Sequence, residues 1–163
     1  MDFQVPRMDE RESRAWLALV GVMQRMPASL DAQLQARSHL THYEFMVLST
    51  LSQAPQRTAR MKRLAAVTNA TMPRISKVVT RLEQRGFVER HTGDDGDGRA
   101  VSVRITAAGR RALLAAIPPH IAYVRELVID TLTPAQLDQL ADILEPLMQR
   151  LDPMQTCTVP ASS

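Results

Sequence analysis

The chain has one cysteine, Cys157, in 163 residues. A single thiol excludes internal disulfides and cysteine-rich zinc sites, and it fits a reducing compartment. Although 45% of the residues are hydrophobic, none of the apolar runs approaches the roughly 18 uninterrupted residues of a membrane span. The opening stretch MDFQVPRMDERESRAW mixes charges and lacks the apolar core of an export signal. These absences predict a cytoplasmic protein with no membrane partner. Lysine is scarce too, with only Lys62 and Lys77 among 20 basic residues, a bias to which we attach no function. No Ser-His-Asp arrangement, phosphate-cradling loop or metal-ligand cluster is recognisable, so neither catalysis nor a metal or cofactor is expected. There is no internal repeat, and the length suits one domain with helical extensions.

What is present is unevenly distributed. Between Arg57 and Arg111 there are 13 Lys/Arg against 5 Asp/Glu, a net of +8, whereas the remainder carries 7 against 12, a net of −5. A basic middle between acidic ends suggests a polyanion-binding module on a neutral-to-acidic scaffold. A merely solvated basic face would give the same count.

Periodicity predicts a mainly helical fold. From about 8 to 36, Trp16, Leu19, Val20, Met23, Met26, Leu30 and Leu34 recur at three- and four-residue steps. Pro27 falls within this pattern and predicts a kink or break near Met26. The next helix opens with Thr41 as N-cap and Glu44 three residues later, a capping box, and stops at Pro55. MKRLAAVT makes a short helix, with Leu64, Ala65 and Val67 inward, and TNAT is a turn of cap-forming residues. A further helix starts near Thr71, with Pro73 in its first turn, and ends at Gly86. FVER and VSVRI alternate as strands do. Thr106 caps a helix expected to be disturbed at Pro118 and Pro119, and Thr133 with Pro134 opens the last. Residues 152–163 are expected to be a disordered tail.

On the helix after TNAT, Ile75, Val78, Val79 and Leu82 share one face at core spacing. The opposite face holds Pro73, Lys77, Thr80, Arg81 and Gln84, with Arg74 and Ser76 on its flanks. Such cationic and hydroxyl side chains bridge phosphates and reach base edges in the major groove. A solvated polar face has similar composition; the turn before the helix and the hairpin after it favour DNA. Within that hairpin, HTGDDGDGRAV does not fit a calcium loop. Counting from Asp95, Arg99 falls at the fifth position and Thr106 at the twelfth, where oxygen ligands belong. A glycine-rich hairpin tip remains, with Asp97 two residues from Arg99 and able to orient it toward a narrow minor groove.

A hairpin after a helix-turn-helix is a winged helix. The block from Leu40 to Leu113 resembles the MarR family of bacterial winged-helix regulators. LTHYEFMVL, RMKRLA, RISKVVTRLEQRGFVER and above all DGRAVSVRITAAGR carry the likeness. The last matches the family's D-x-R wing followed by a strand and L-T-x-x-G, here Asp97, Arg99, Thr106 and Gly109, with Ile105 in place of leucine. With its flanking helices the resemblance extends over about 8–151. It implies a helical dimerisation region at 8–36 and 106–151 and a DNA-binding lobe at 40–105. It implies a homodimer as well, consistent with the apolar surplus of Leu127, Val128, Leu132, Leu137, Leu140, Ile143, Leu144, Leu147 and Leu151.

The expected partner is double-stranded DNA carrying an inverted-repeat operator. Contacts are expected from Arg60, Lys62, Thr71, Pro73, Arg74, Ser76, Lys77, Thr80, Arg81, Asp97 and Arg99. The resemblance further implies a small phenolic or anionic aromatic effector, held between dimerisation helices and lobe. By position, Trp16, Met23, Met26, His39, His42, Tyr43 and Met46 are candidates to line its site; helical spacing of such residues is equally a core signal. His39 and His42 lack companions for a metal site, and Cys157 lacks the cationic surroundings of a redox sensor. The expected function is transcriptional repression relieved by a ligand. The alternative is a winged helix used for protein–protein contact without an operator.

Overall fold

The computed structural model describes residues 7–92 and 101–152. The expected tail and the hairpin tip with Asp97 and Arg99 lie outside them. Six helices and three short strands follow one another as α1 (Glu10–Ser38), α2 (His42–Gln53), β1 (Thr58–Arg60), α3 (Met61–Val67), α4 (Met72–Gln84), β2 (Val88–Thr92), β3 (Val101–Ile105), α5 (Ala107–Leu127) and α6 (Pro134–Leu151). The strands form one antiparallel sheet in the order β1-β3-β2. The hairpin expected from FVER and VSVRI is there, with Val88 opposite Ile105 and Thr92 opposite Val101. A third strand joins it, Thr58 opposite Arg104 and Arg60 opposite Ser102.

The helix ends follow local chemistry. The α2 capping box forms as expected: Thr41 Oγ1 accepts the Glu44 N–H, and Glu44 Oε2 accepts the Thr41 N–H at 2.8 Å. Asp9 with Glu12 and Thr133 with Gln136 build equivalent boxes on α1 and α6. At the end of α4, Gly86 adopts φ +69°, and the Phe87 N–H reaches back to the Leu82 carbonyl at 2.9 Å. That left-handed exit is why glycine stands there.

The prolines do not break their helices. Helix α1 runs unbroken through Pro27, and α5 runs unbroken through Pro118 and Pro119. Pro27 and Pro118 are exposed, and the carbonyls four residues back belong to the exposed Met23 and Leu114. A carbonyl deprived of its N–H partner on an outer face remains accessible to water, so the helix tolerates the loss.

The core lies in the lobe. Val47, Leu48 and Leu51 of α2, Leu64 of α3, Ile75, Val78, Val79 and Leu82 of α4, Val88 and Val103 of the sheet, and Leu113 and Ala116 of α5 form one buried cluster. Helix α1 packs along α5 and touches α2; Ser29 and Tyr123 share a hydroxyl hydrogen bond, and Gln33 Nε2 donates to the Pro119 carbonyl. Helix α6 has no buried residue. By length and composition Ala107–Thr131 is apolar enough to cross a membrane, yet its first half buries Gly109, Leu113 and Ala116 against the lobe.

Candidate nucleic-acid interface

The short helix α3 ends in a left-handed turn. Asn69 takes φ 47°, and the Ala70 N–H donates to the Ala65 carbonyl at 2.9 Å. Thr68, buried, turns its hydroxyl onto the Leu64 carbonyl at 2.7 Å. The chain then enters α4 with extended backbone at Thr71 and Pro73 in the first turn, where its missing N–H costs no helix bond. Thr71 stands at the N-cap, but its hydroxyl does not cap.

Ile75, Val78, Val79 and Leu82 are all buried, as their spacing predicts. That fixes which face of α4 turns outward. Pro73, Ser76 and Lys77 are exposed on it, with Thr71 just before and Arg60 and Lys62 exposed at the start of α3. Arg74 lies in the positive first turn of α4, which holds no acid, whereas Arg81 lies with Glu83 in the negative last turn, where a cation is favoured.

Arg74 and Arg81 are exposed but not free. The Arg74 guanidinium lies 3.9 Å from the centre of the Tyr43 ring. Arg81 Nε lies 3.9 Å from Glu44 Oε1, and Arg85 Nη1 donates to Glu44 Oε2 at 3.4 Å. Glu44 is buried, so these cations answer a charge withdrawn from water. The sequence marks Glu44 as a capping residue but gives no sign of this second task. Thr80 is half-buried, with its hydroxyl donating to the Ser76 carbonyl at 2.9 Å and accepting from Arg90 at 2.8 Å. Arg90 and Glu83 escape sequence reasoning, because their contact joins a helix to a strand and has no periodic signature.

Beside this face, between α1, α2 and the first turns of α4, is a cleft of about 400 Å³ lined by Pro27, Ala28, Asp31, Thr41, His42, Tyr43, Arg74, Val78 and Arg81. Of the seven residues nominated for an effector site, it brings together only His42 and Tyr43. Trp16 and Met23 are exposed on α1; Met26 and Met46 are half-buried elsewhere. His39, left-handed at the end of α1, lines a neighbouring polar depression with Gln35, Gln84 and Arg85.

Burial holds His42 below the usual imidazole range, partly opposed by Asp31. His120 is lowered by burial and by the proximity of His42; its ring rests 4.6 Å from that of Phe45. Among the described residues, no group of three or more His, Cys, Asp or Glu side chains is placed to hold a metal ion.

Comparison with known proteins agrees with this geometry. A sequence profile of the MarR family matches residues 38–100. An uncharacterised HTH-type transcriptional regulator of Bacillus subtilis (strain 168), YdcH, is 33% identical over 85 residues; the match spans 51% of this chain and 57% of that relative's length. Sco3205, a MarR family transcriptional regulator from Streptomyces coelicolor solved in complex with DNA, superposes with a TM-score of 0.83. It is 30% identical, with 89% of this chain and 94% of that one covered. AbsC, another MarR family regulator from the same organism, gives 0.82 at 28% identity, covering 90% and 98%. A shared fold over nearly the whole length, at that identity, establishes that the chain belongs to the MarR family of winged helix-turn-helix transcriptional regulators.

Proposed function

We propose that the chain acts as a homodimeric repressor that binds an inverted-repeat operator and releases it when a small anionic aromatic compound enters the cleft beside α4. One observation carries the DNA reading: α4 seals Ile75, Val78, Val79 and Leu82 inward and turns Pro73, Ser76 and Lys77 outward to solvent. In this reading α4 lies in the major groove, Thr71, Arg60 and Lys62 take phosphates, and Arg74 and Arg81 reach the duplex from the edges of the face. Asp97 and Arg99 complete the set from the sequence alone. The 30% identical relative solved in complex with DNA supports the DNA-binding part of this reading.

Residues 8–36 and 106–151 are the proposed dimerisation region. The exposure of Trp16, Leu17, Val22, Leu114, Ile121, Ile143 and Leu151 supports it, since a second copy offers matching apolar faces. For the effector, the cleft offers two cations, Arg74 and Arg81, and the face of Tyr43. A carboxylate or phenolate there competes with Tyr43 for Arg74.

Selection of binding sites from random duplexes tests the proposal. The expected outcome is an inverted repeat with half-site centres about 10 bp apart, bound with an affinity that falls steeply with salt. Direct repeats, or no selected site, overturn it. Release by phenolic acids, titrated against the protein–operator complex, tests the effector.

A further inference from the structure

We infer that Arg90 is a positioning residue for DNA reading: one guanidinium on the strand leading to the wing sets the roll of α4 about its own axis. The inference deepens the proposed function and rests on it. Arg90 Nη1 donates to Glu83 Oε2 at 3.0 Å, while Nη2 donates to the Ser76 carbonyl at 3.0 Å and to Thr80 Oγ1 at 2.8 Å. The Arg90 backbone N–H donates to the other Glu83 oxygen at 3.3 Å. Residues 76, 80 and 83 follow one another at steps of four and three, so the acceptors form one stripe along two turns of α4.

A grip of that length resists rotation in a way the core does not. Apolar contacts at Ile75, Val78, Val79 and Leu82 decide which face turns inward, but they are non-directional. A planar fork satisfied by three acceptors has a fixed direction. Angle matters for reading. A roll of about 20° carries a head group 6 Å from the helix axis through about 2 Å, enough to break a hydrogen bond to a base. Ser76 and Lys77, on or next to the gripped stripe, would lose register first. Thr80, with its hydroxyl both donating and accepting inside the clamp, serves the clamp rather than the duplex.

The test measures affinity for the selected operator and for a non-specific duplex across a salt series, with parent protein, Arg90→Ala, Arg90→Lys and Thr80→Val. Arg90→Ala should lower the operator-to-non-specific ratio by roughly tenfold, within the range of one mismatched base pair. Its salt slope on non-specific DNA should match the parent's, because the side chain touches protein and not phosphate. Arg90→Lys keeps the charge but cannot span three acceptors, so its ratio should fall nearly as far. Thr80→Val should lower the ratio less, with no change in charge.

If Arg90→Ala flattens the slope by about one unit and Lys restores binding, Arg90 is a phosphate contact and the inference fails. It fails equally if melting temperature drops while the ratio, corrected for folded protein, stays at the parent value. Should Arg90→Ala not fold, Arg90→Lys and Thr80→Val decide alone, an unchanged ratio in both overturning the inference. A parent protein that selects no operator removes the proposed function instead, an outcome visible before any variant is made.

Discussion

Leu82 on α4 and Leu151 on α6 both end apolar stripes of amphipathic helices, yet one is fully buried and the other 80% exposed. The contrast holds for whole regions. The winged-helix lobe has one core, shared by α2, α3, α4, the sheet and the first half of α5. Helix α6 has no fully buried residue, with Leu137, Leu140 and Leu144 half-buried, and α1 fully buries only Leu34. Charge divides the same way, net positive around the lobe and net negative outside it. The lobe therefore folds on contacts within the chain, whereas among the described residues α1, α6 and the far half of α5 leave apolar surface open to water.

The largest expected effect breaks the self-sufficient side. Leu82→Ala should destabilise the lobe by about 2–5 kcal/mol, measured by urea unfolding, and the loss should not depend on protein concentration. A concentration-dependent loss would mean that the lobe too relies on a partner. The opposite region is probed by Ile143→Asp with Leu147→Asp on α6. This pair should convert dimer to monomer in light scattering and weaken operator binding by about 100-fold or more, while the lobe keeps its fold. An unchanged mass would move the dimer interface away from α6.

A smaller effect sharpens the lobe's outward face. Lys77→Ala should cost operator binding roughly 1–3 kcal/mol and relax preference at one base position if the side chain reads a base. A uniform loss across sequences, with a flatter salt slope, would make it a phosphate contact.

The smallest concerns the seam between the regions, where His42 and His120 sit among α1, α2 and α5. Both are held below the free value of 6.5. Each therefore binds fewer protons in the folded chain than in the unfolded one between its folded value and 6.5. Stability should be level above that window, fall as pH drops through it, and flatten below the folded values. Melting temperatures at pH 7.5 and 5.5 should show the decline, and His42→Gln with His120→Gln should narrow it.

Much of this was readable in the sequence because it is local. Caps at Thr41, Thr106 and Thr133, the glycine exit at Gly86 and the four core residues of α4 depend on neighbours within one turn or two. Strand β1 was not readable: Thr58–Arg60 is too short to show alternation and exists because β3 offers an edge. At the prolines the sequence could not separate a break from a tolerated loss, because helix propensity takes no account of which face a freed carbonyl occupies. Arg90 and the buried Glu44 lay hidden for another reason. Their partners are distant in sequence, and only tertiary packing brings a guanidinium to Thr80 or two arginines to one carboxylate.

The joint between α4 and α5 has a mechanical consequence. Thr106 Oγ1 donates to the Gly86 carbonyl at 2.8 Å, the Thr106 N–H donates to the Phe87 carbonyl at 3.0 Å, and a Cβ on Gly109 would stand 2.1 Å from that same oxygen. The exit of α4 and the start of α5 are thus held in direct backbone contact. Helix α5, at 21 residues about 30 Å long, is a lever fastened at its lobe end. A tilt of about 5° at that joint sweeps its far end through nearly 3 Å, and force applied at the far end returns to α4 with the same gearing. Along that shaft Pro118 and Pro119 remove two consecutive rungs of the hydrogen-bond ladder.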